Sequence, residues 1–166
     1  VIADAVMLAL RDQLLAREVE LLAVAAAWHD TGFIESPEHN EPIAARMAVE
    51  ALTRIGSYSS AEIKLIEQMI LDTAIIPQEA GSPLQRATTK LSPYLLDADV
   101  ANFGRDDFFV KGELLRRELG EADLVAYNQK TQGLLTRHVW LSAPAQELWG
   151  AGKAFNLAKL QQLLKV

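Results

Sequence analysis

Apolar residues recur along this chain at the three- and four-residue spacing of helices, and no stretch sustains the alternation of a half-buried strand. Ile2, Val6, Leu10 and Leu14 return at every fourth position and predict an amphipathic first helix, with Arg11, Asp12, Gln13 and Arg17 on its wetter faces. The segment from about Glu18 to Asp30 is more apolar and predicts a buried second helix. Gly32 stands where a left-handed residue would end it. Ser36 and Pro37 punctuate a loop from Phe33 to Asn40, and Pro42 suits the first turn of a third helix. The stripe of that helix is Ile43, Ala44, Met47, Ala48, Ala51, Leu52 and Ile55, and Gly56 closes it. Ser59-Ser60-Ala61-Glu62 reads as a capping box, opening a helix whose apolar face is Ile63, Ile66, Met69 and Ile70 and which fades near Thr73.

From Ile75 to Leu91 the pattern breaks around Pro77, Gly81 and Pro83, which predicts a long loop with room for one short helical turn. Loops of that length in compact domains are often functional. Ser92 as N-cap and Pro93 at the first helical position start a helix that runs through Phe103 to Gly104. Asp106 caps the next, which reaches Gly120, and another spans about Ala122 to Trp140. Ser142 and Pro144 start the last, where Gly150 and Gly152 are expected interruptions before Leu157, Leu160 and Leu164. The expected fold is an all-α bundle forming a single domain over residues 1–166.

Composition narrows the function. A chain of 166 residues, half of them hydrophobic, can bury a substantial core. A formal net charge of −6 and a pI near 5.1 argue against binding a nucleic-acid duplex or an acidic membrane, both of which want a basic surface. They leave room for a small anionic substrate held by a metal and one or two arginines. With no cysteine there is no disulfide framework, no thiolate nucleophile and no Cys-type zinc site, a composition compatible with the cytoplasm. The apolar opening, Val1 to Leu10, is too short to span a bilayer.

The candidate chemistry centres on His29 and Asp30 at the end of the second helix. Consecutive helical side chains point about 100° apart, yet at a helix end both reach a point beyond the last turn. An imidazole nitrogen with a carboxylate oxygen suits a first-row divalent cation, although such a doublet alone is more often a hydrogen-bonded or capping pair. Asp97 and Asp99 lie in an otherwise apolar helix, and carboxylates are seldom buried without a partner. Two residues apart, they face roughly opposite sides, so only one can readily join the doublet; the alternative for either acid is that it caps a neighbouring helix or pairs with an arginine. His39 and Glu41 sit in the loop and helix start that follow the doublet, and Arg105 lies just past the acidic helix, where it could meet a phosphate oxygen. His138, near a helix end, reads as structural and suited to a C-terminal dipole.

Taken together, Trp28-His29-Asp30-Thr31-Gly32-Phe33, His39-Asn40-Glu41 and Leu96-Asp97-Ala98-Asp99-Val100-Ala101-Asn102-Phe103-Gly104 resemble the HD-domain metal-dependent phosphohydrolases. The stretches Phe108 to Glu118 and Gln132 to His138, with Lys153 and Asn156-Leu157, resemble a bacterial subgroup of them, so the likeness covers nearly the whole chain. The resemblance implies an all-helical fold and metal ligands at His29, Asp30 and Asp99, the second acid of the Asp-Ala-Asp pattern. It also implies one further histidine on the preceding helix; by spacing this would fall just before Val1, so the chain is expected to lack the domain's start. One divalent transition metal or magnesium is expected as cofactor, because His39 is the only candidate for the extra histidines of two-metal members. The implied activity is hydrolysis of a phosphoester in a nucleotide or other small phosphorylated metabolite, with Asp30 also accepting a proton from water and His39, Glu41 and Arg105 toward substrate. The alternative is a non-catalytic ligand-sensing or interaction module that keeps the pocket.

Overall fold

The computed structural model describes residues 1–77 and 82–165, and all regular structure among them is helical. Eight α-helices follow one another in these residues: α1 (Ile2–Arg11), α2 (Ala16–Trp28), α3 (Asn40–Ile55), α4 (Ser60–Asp72), α5 (Ser92–Asp99), α6 (Phe108–Glu118), α7 (Leu124–Arg137) and α8 (Ala143–Leu163). Short 3-10 turns at Thr31–Ile34 and Pro37–His39 join α2 to α3, and another at Ala101–Gly104 follows α5. The chain is all-α, as the spacing predicts. Among the described residues no helix is long and apolar enough to cross a membrane.

The first helix buries a different face from the expected one. Ala5, Leu8 and Ala9 are fully buried, whereas Ile2 and Leu10 are 47% and 60% exposed. Alanines let α1 lie close against α2 and α5, and that approach outweighs the longer side chains of the Ile2–Leu10 stripe. The same device recurs in Ala25 and Ala26 of α2 and in Ala44, Ala45 and Ala48 of α3, all in one core with Leu22, Ile66, Met69, Ile70 and Leu95. A second, smaller cluster gathers Leu84, Val100, Phe103, Phe108 and Leu135.

Several ends form as expected. Ser59 accepts from the Glu62 N–H at 3.3 Å while its own N–H donates to Glu62 at 2.8 Å, and Gly56 ends α3 at φ +73°. Ser142 caps α8. Others differ. Gly32 has no positive φ; it is buried, and a Cβ there would lie 2.0 Å from the Asn40 carbonyl oxygen, so close approach of the chain requires the glycine. At the start of α5 the Ser92 and Leu91 N–H groups donate to the Thr89 hydroxyl, and the Ser92 hydroxyl turns instead to Asp72. Asp107, not Asp106, stands before α6, and α7 stops at Arg137, leaving His138 in extended backbone. Gly150 and Gly152 do not interrupt α8, which runs unbroken. A Cβ on Gly152 would lie 2.0 Å from the Gly104 carbonyl oxygen, so the glycine serves the crossing of α8 over the turn after α5.

The described parts of the long connection between α4 and α5 contain no helix, and Gly81 lies outside the described residues. The connection is tied down from both sides. Asp72, 6% exposed at the end of α4, accepts from the Thr88 N–H and hydroxyl and from the Ser92 hydroxyl at 2.6–2.9 Å. Arg137 of α7 donates to the carbonyls of Ile76, Ser82 and Pro83 at 2.6–3.4 Å.

Candidate functional site

Helix α2 delivers His29 as its C-cap, and α5 delivers Asp99 as its last residue. Although seventy positions separate them in sequence, His29 Nε2 lies 3.4 Å from Asp99 Oδ1 and 3.1 Å from Asp30 Oδ2. His29 thus lies near both the adjacent Asp30 and the distant Asp99, the second acid of Asp-Ala-Asp.

Each of the three side chains has its outer atom fastened to the protein. The His29 ring holds Nδ1 2.8 Å from the Ala26 carbonyl, which makes Nδ1 the donor and turns Nε2 toward the acids. The Asn40 amide donates to the His29 carbonyl at 3.0 Å and to Asp30 Oδ1 at 3.4 Å, leaving Oδ2 for His29. The Gln85 amide donates to the Thr73 carbonyl at 2.7 Å and to Asp99 Oδ2 at 3.1 Å, leaving Oδ1 for His29. Asn40 and Gln85 are 2% and 7% exposed, so both carboxamides are internal parts of the site. Neither stands out from composition or spacing. The signal for Asn40 is a polar residue at a helix start that Gly32 approaches too closely for any side chain; Gln85 carries none.

Electrostatically the site is an imidazole between two carboxylates. Burial lowers the proton affinity of His29, but Asp30 and then Asp99 outweigh it and lift its pKa to about 10. Asp30 is held below the usual carboxylate range, chiefly by His29. Among the described residues no group of three or more His, Cys, Asp or Glu side chains stands ready around a common point; the acids address the ring nitrogen itself. That nitrogen is buried and has no well-aligned hydrogen-bond acceptor. Two donors about 2.1 Å from one small ion and 90–109° apart lie about 3.0–3.4 Å from each other, and both measured separations from Nε2 fall in that range. The donor set, one nitrogen and two carboxylate oxygens, suits a divalent cation. The donor types and the two separations from Nε2 are those a small ion would need, but the three side chains are not arranged as a ready metal group, and a proton on His29 competes for the place.

Asp30 and Asp99 line a cleft of about 560 Å³ with Asn40, Glu41, Asn102, Arg105 and Lys111. A separate, mostly apolar pocket of about 240 Å³ between α6, α7 and α8 is lined by none of the candidate residues; Glu113 is its one charged residue among those described. Arg105 faces the cleft but is held by Asp4 at 2.5 Å and lies 5.8 Å over the Trp149 ring. Glu41 lines the cleft; His39 does not, being exposed and turned to the Ser36 hydroxyl at 3.4 Å.

Asp97 is engaged elsewhere. It is fully buried and accepts from the Leu141 N–H, the Ser142 N–H and the Ser142 hydroxyl at 2.7–2.9 Å, fastening the start of α8. Burial pushes its carboxyl up while those three donors favour the anion. His138 departs from expectation: it is buried between Phe103 and Trp140, and burial, with Lys153 adding to it, pushes its pKa down to about 3 instead of favouring a cation. Comparison with protein-family models, with curated proteins and with solved structures found no match.

Proposed function

We propose that this chain is a divalent-metal-dependent phosphohydrolase of the HD type, acting on a phosphoester of a nucleotide or another small phosphorylated metabolite. The observation that supports it is the set of three side chains whose outer atoms are anchored and whose inner atoms, His29 Nε2, Asp30 Oδ2 and Asp99 Oδ1, face one another beside a cleft. Anchoring of this kind is how proteins orient metal ligands. His29, Asp30 and Asp99 would hold the ion. When bound, it supplies Lewis acidity, acidifying water and offsetting charge on phosphoryl oxygens.

The chain's own groups account for the rest. Asp30 is the more exposed acid, 58% against 24% for Asp99, and is the one placed to take a proton from water in the cleft. Arg105 and Lys111 bring positive charge to the cleft wall for a phosphate. Each is paired in the free protein, Arg105 with Asp4 and Lys111 with Asp107 at 3.0 Å, so substrate must compete with a carboxylate. Glu41, which also lines the cleft, can orient water or a substrate hydroxyl.

The test is a titration with Mn²⁺ or Co²⁺ beside a screen of phosphate release from a nucleotide panel. Stoichiometric binding that disappears in His29→Ala and Asp99→Asn, with turnover in the wild type, is the expected result. A wild type that binds neither cation, or variants that bind as well as it does, would overturn the reading. Binding of cation and nucleotide without turnover would leave the ligand-sensing module instead.

A further inference from the structure

We propose that Gln85 is a positioning residue for Asp99, through which the long connection between α4 and α5 sets the attitude of the site. The inference rests on reading Asp99 as a site residue. A primary amide has two hydrogens diverging by about 120°, and both of those on Gln85 are used: one reaches the Thr73 carbonyl at 2.7 Å, the other Asp99 Oδ2 at 3.1 Å. Fastening the loop to α4 needs only the first bond. The second has a separate consequence, since a carboxylate with one oxygen held can present only the other to His29.

Asp99 needs this help more than Asp30 does. It ends α5, where the helix gives way to a 3-10 turn and no further helical residue buttresses its side chain. The helix C-terminus is also an unfavourable place for an acid, so a neutral donor on the distal oxygen offsets that field. Gln85 is itself fixed from a distance. Arg137 grips the carbonyls of Ile76, Ser82 and Pro83, and the Ile76 N–H donates to the Leu84 carbonyl at 2.9 Å, which ties Leu84, the residue before Gln85, to the first part of the connection. Asn40 performs the equivalent task for Asp30, from the start of α3. The two acids are thus set by two independent carboxamides, and each can be perturbed without the other.

The experiment uses Gln85→Met, which keeps length and bulk but has no donor, and Gln85→Glu, which puts an acceptor where the donor was. Crystal structures of both variants without added metal are compared with that of the wild type, and each protein is titrated with Co²⁺ while its visible spectrum is recorded. The expected result is an Asp99 carboxylate turned away from His29 in both variants, Asp30 unmoved, and Co²⁺ affinity reduced about 10–100-fold with an altered spectrum. Asp99 Oδ1 remaining against His29 in either folded variant would overturn the proposal, as would Co²⁺ affinity within twofold of the wild type. Should the wild type bind no Co²⁺, the metal reading fails, while the orientation of Asp99 still decides the role of Gln85.

Discussion

Asp97 and Asp99 make unequal predictions when each is removed. Asp97→Ala leaves the Leu141 and Ser142 N–H groups without their acceptor at the buried start of α8 and takes three hydrogen bonds of 2.7–2.9 Å from a fully buried carboxylate. Bonds to a charged group contribute about 1.5–3 kcal/mol each, but such losses are not additive. Removing one partner of a buried charged network costs about 3–5 kcal/mol. Part of the loss is recovered because burial already disfavours the Asp97 anion, so about 3–4 kcal/mol is expected, a drop in Tm of roughly 6–16 °C for a chain of this size. Asp99→Ala removes an acid that is 24% exposed and leaves Asp30 beside His29, so it should cost less, about 1–2 kcal/mol for the lost His29 partner and the freed Gln85 donor. Urea denaturation followed by circular dichroism at neutral pH measures both, with an unchanged slope as the check that only stability moved. If Asp97→Ala stays within about 1 kcal/mol of the wild type, or Asp99→Ala is the more damaging of the two, the division of labour between these acids is wrong.

Gly32→Ala would set a Cβ 2.0 Å from the Asn40 carbonyl oxygen and displace the amide that holds Asp30; Co²⁺ affinity should fall more than about tenfold, with about 1–3 kcal/mol lost in urea melts. Gly152→Ala meets the Gly104 carbonyl at the same 2.0 Å and should cost about 3 kcal/mol, whereas Gly56→Ala, at φ +73° in open space, should cost about 1 kcal/mol by the same assay. His138 is buried and neutral, with its pKa pushed from an ordinary 6.5 down to about 3; Lys153 donates to its carbonyl, and Asp97 lines the same small cavity. The unfolded chain binds the proton first, so this stability is fully present above about pH 6.5 and is lost as pH falls toward 3. His138→Phe should flatten the acid limb of the stability profile between those values, and an acid limb identical to the wild type's would remove His138 as its source.

The helices were legible because their apolar spacing is local, and most of their ends were legible where a cap has a short signature, as at Ser59-Glu62, Gly56 and Ser142. The inward face of α1 was not. Spacing arguments favour Ile2 and Leu10, but close approach of helices favours Ala5 and Ala9, and only the partner helix decides between them. His29 and Asp30 stand out as a polar pair at the end of an apolar helix, whereas spacing leaves Asp97 and Asp99 equal and only the resemblance favours Asp99, which lies 3.4 Å from His29. Asn40 and Gln85 escaped because an uncharged amide in a loop or at a helix start is ordinary, and what makes these two unusual is burial. Asp72 carries a signal of its own: an acid in the last turn of α4 opposes the helix dipole and demands donors from elsewhere, here Thr88 and Ser92.

The position of Arg105 follows from the same economy of faces. Helix α5 turns Asp97 to the start of α8 and Asp99 to His29, so the scaffold contact and the site contact sit on opposite sides of one short helix. Immediately after it, the Asn156 amide of α8 donates to the carbonyls of Phe103 and Arg105 at 3.0 Å each, fixing the chain on both sides of Gly104. The glycine contact between Gly104 and Gly152 lets α8 come close enough for that bond, and Trp149 of the same helix lies under the Arg105 guanidinium. Helix α8 contributes none of the three converging atoms, yet it sets where the cleft's arginine stands relative to them. If the proposed phosphohydrolase reading holds, a change in α8 that opens the Gly104 contact should alter nucleotide affinity through Arg105 while leaving the Co²⁺ titration unchanged, and a parallel loss of both would refute this role of α8.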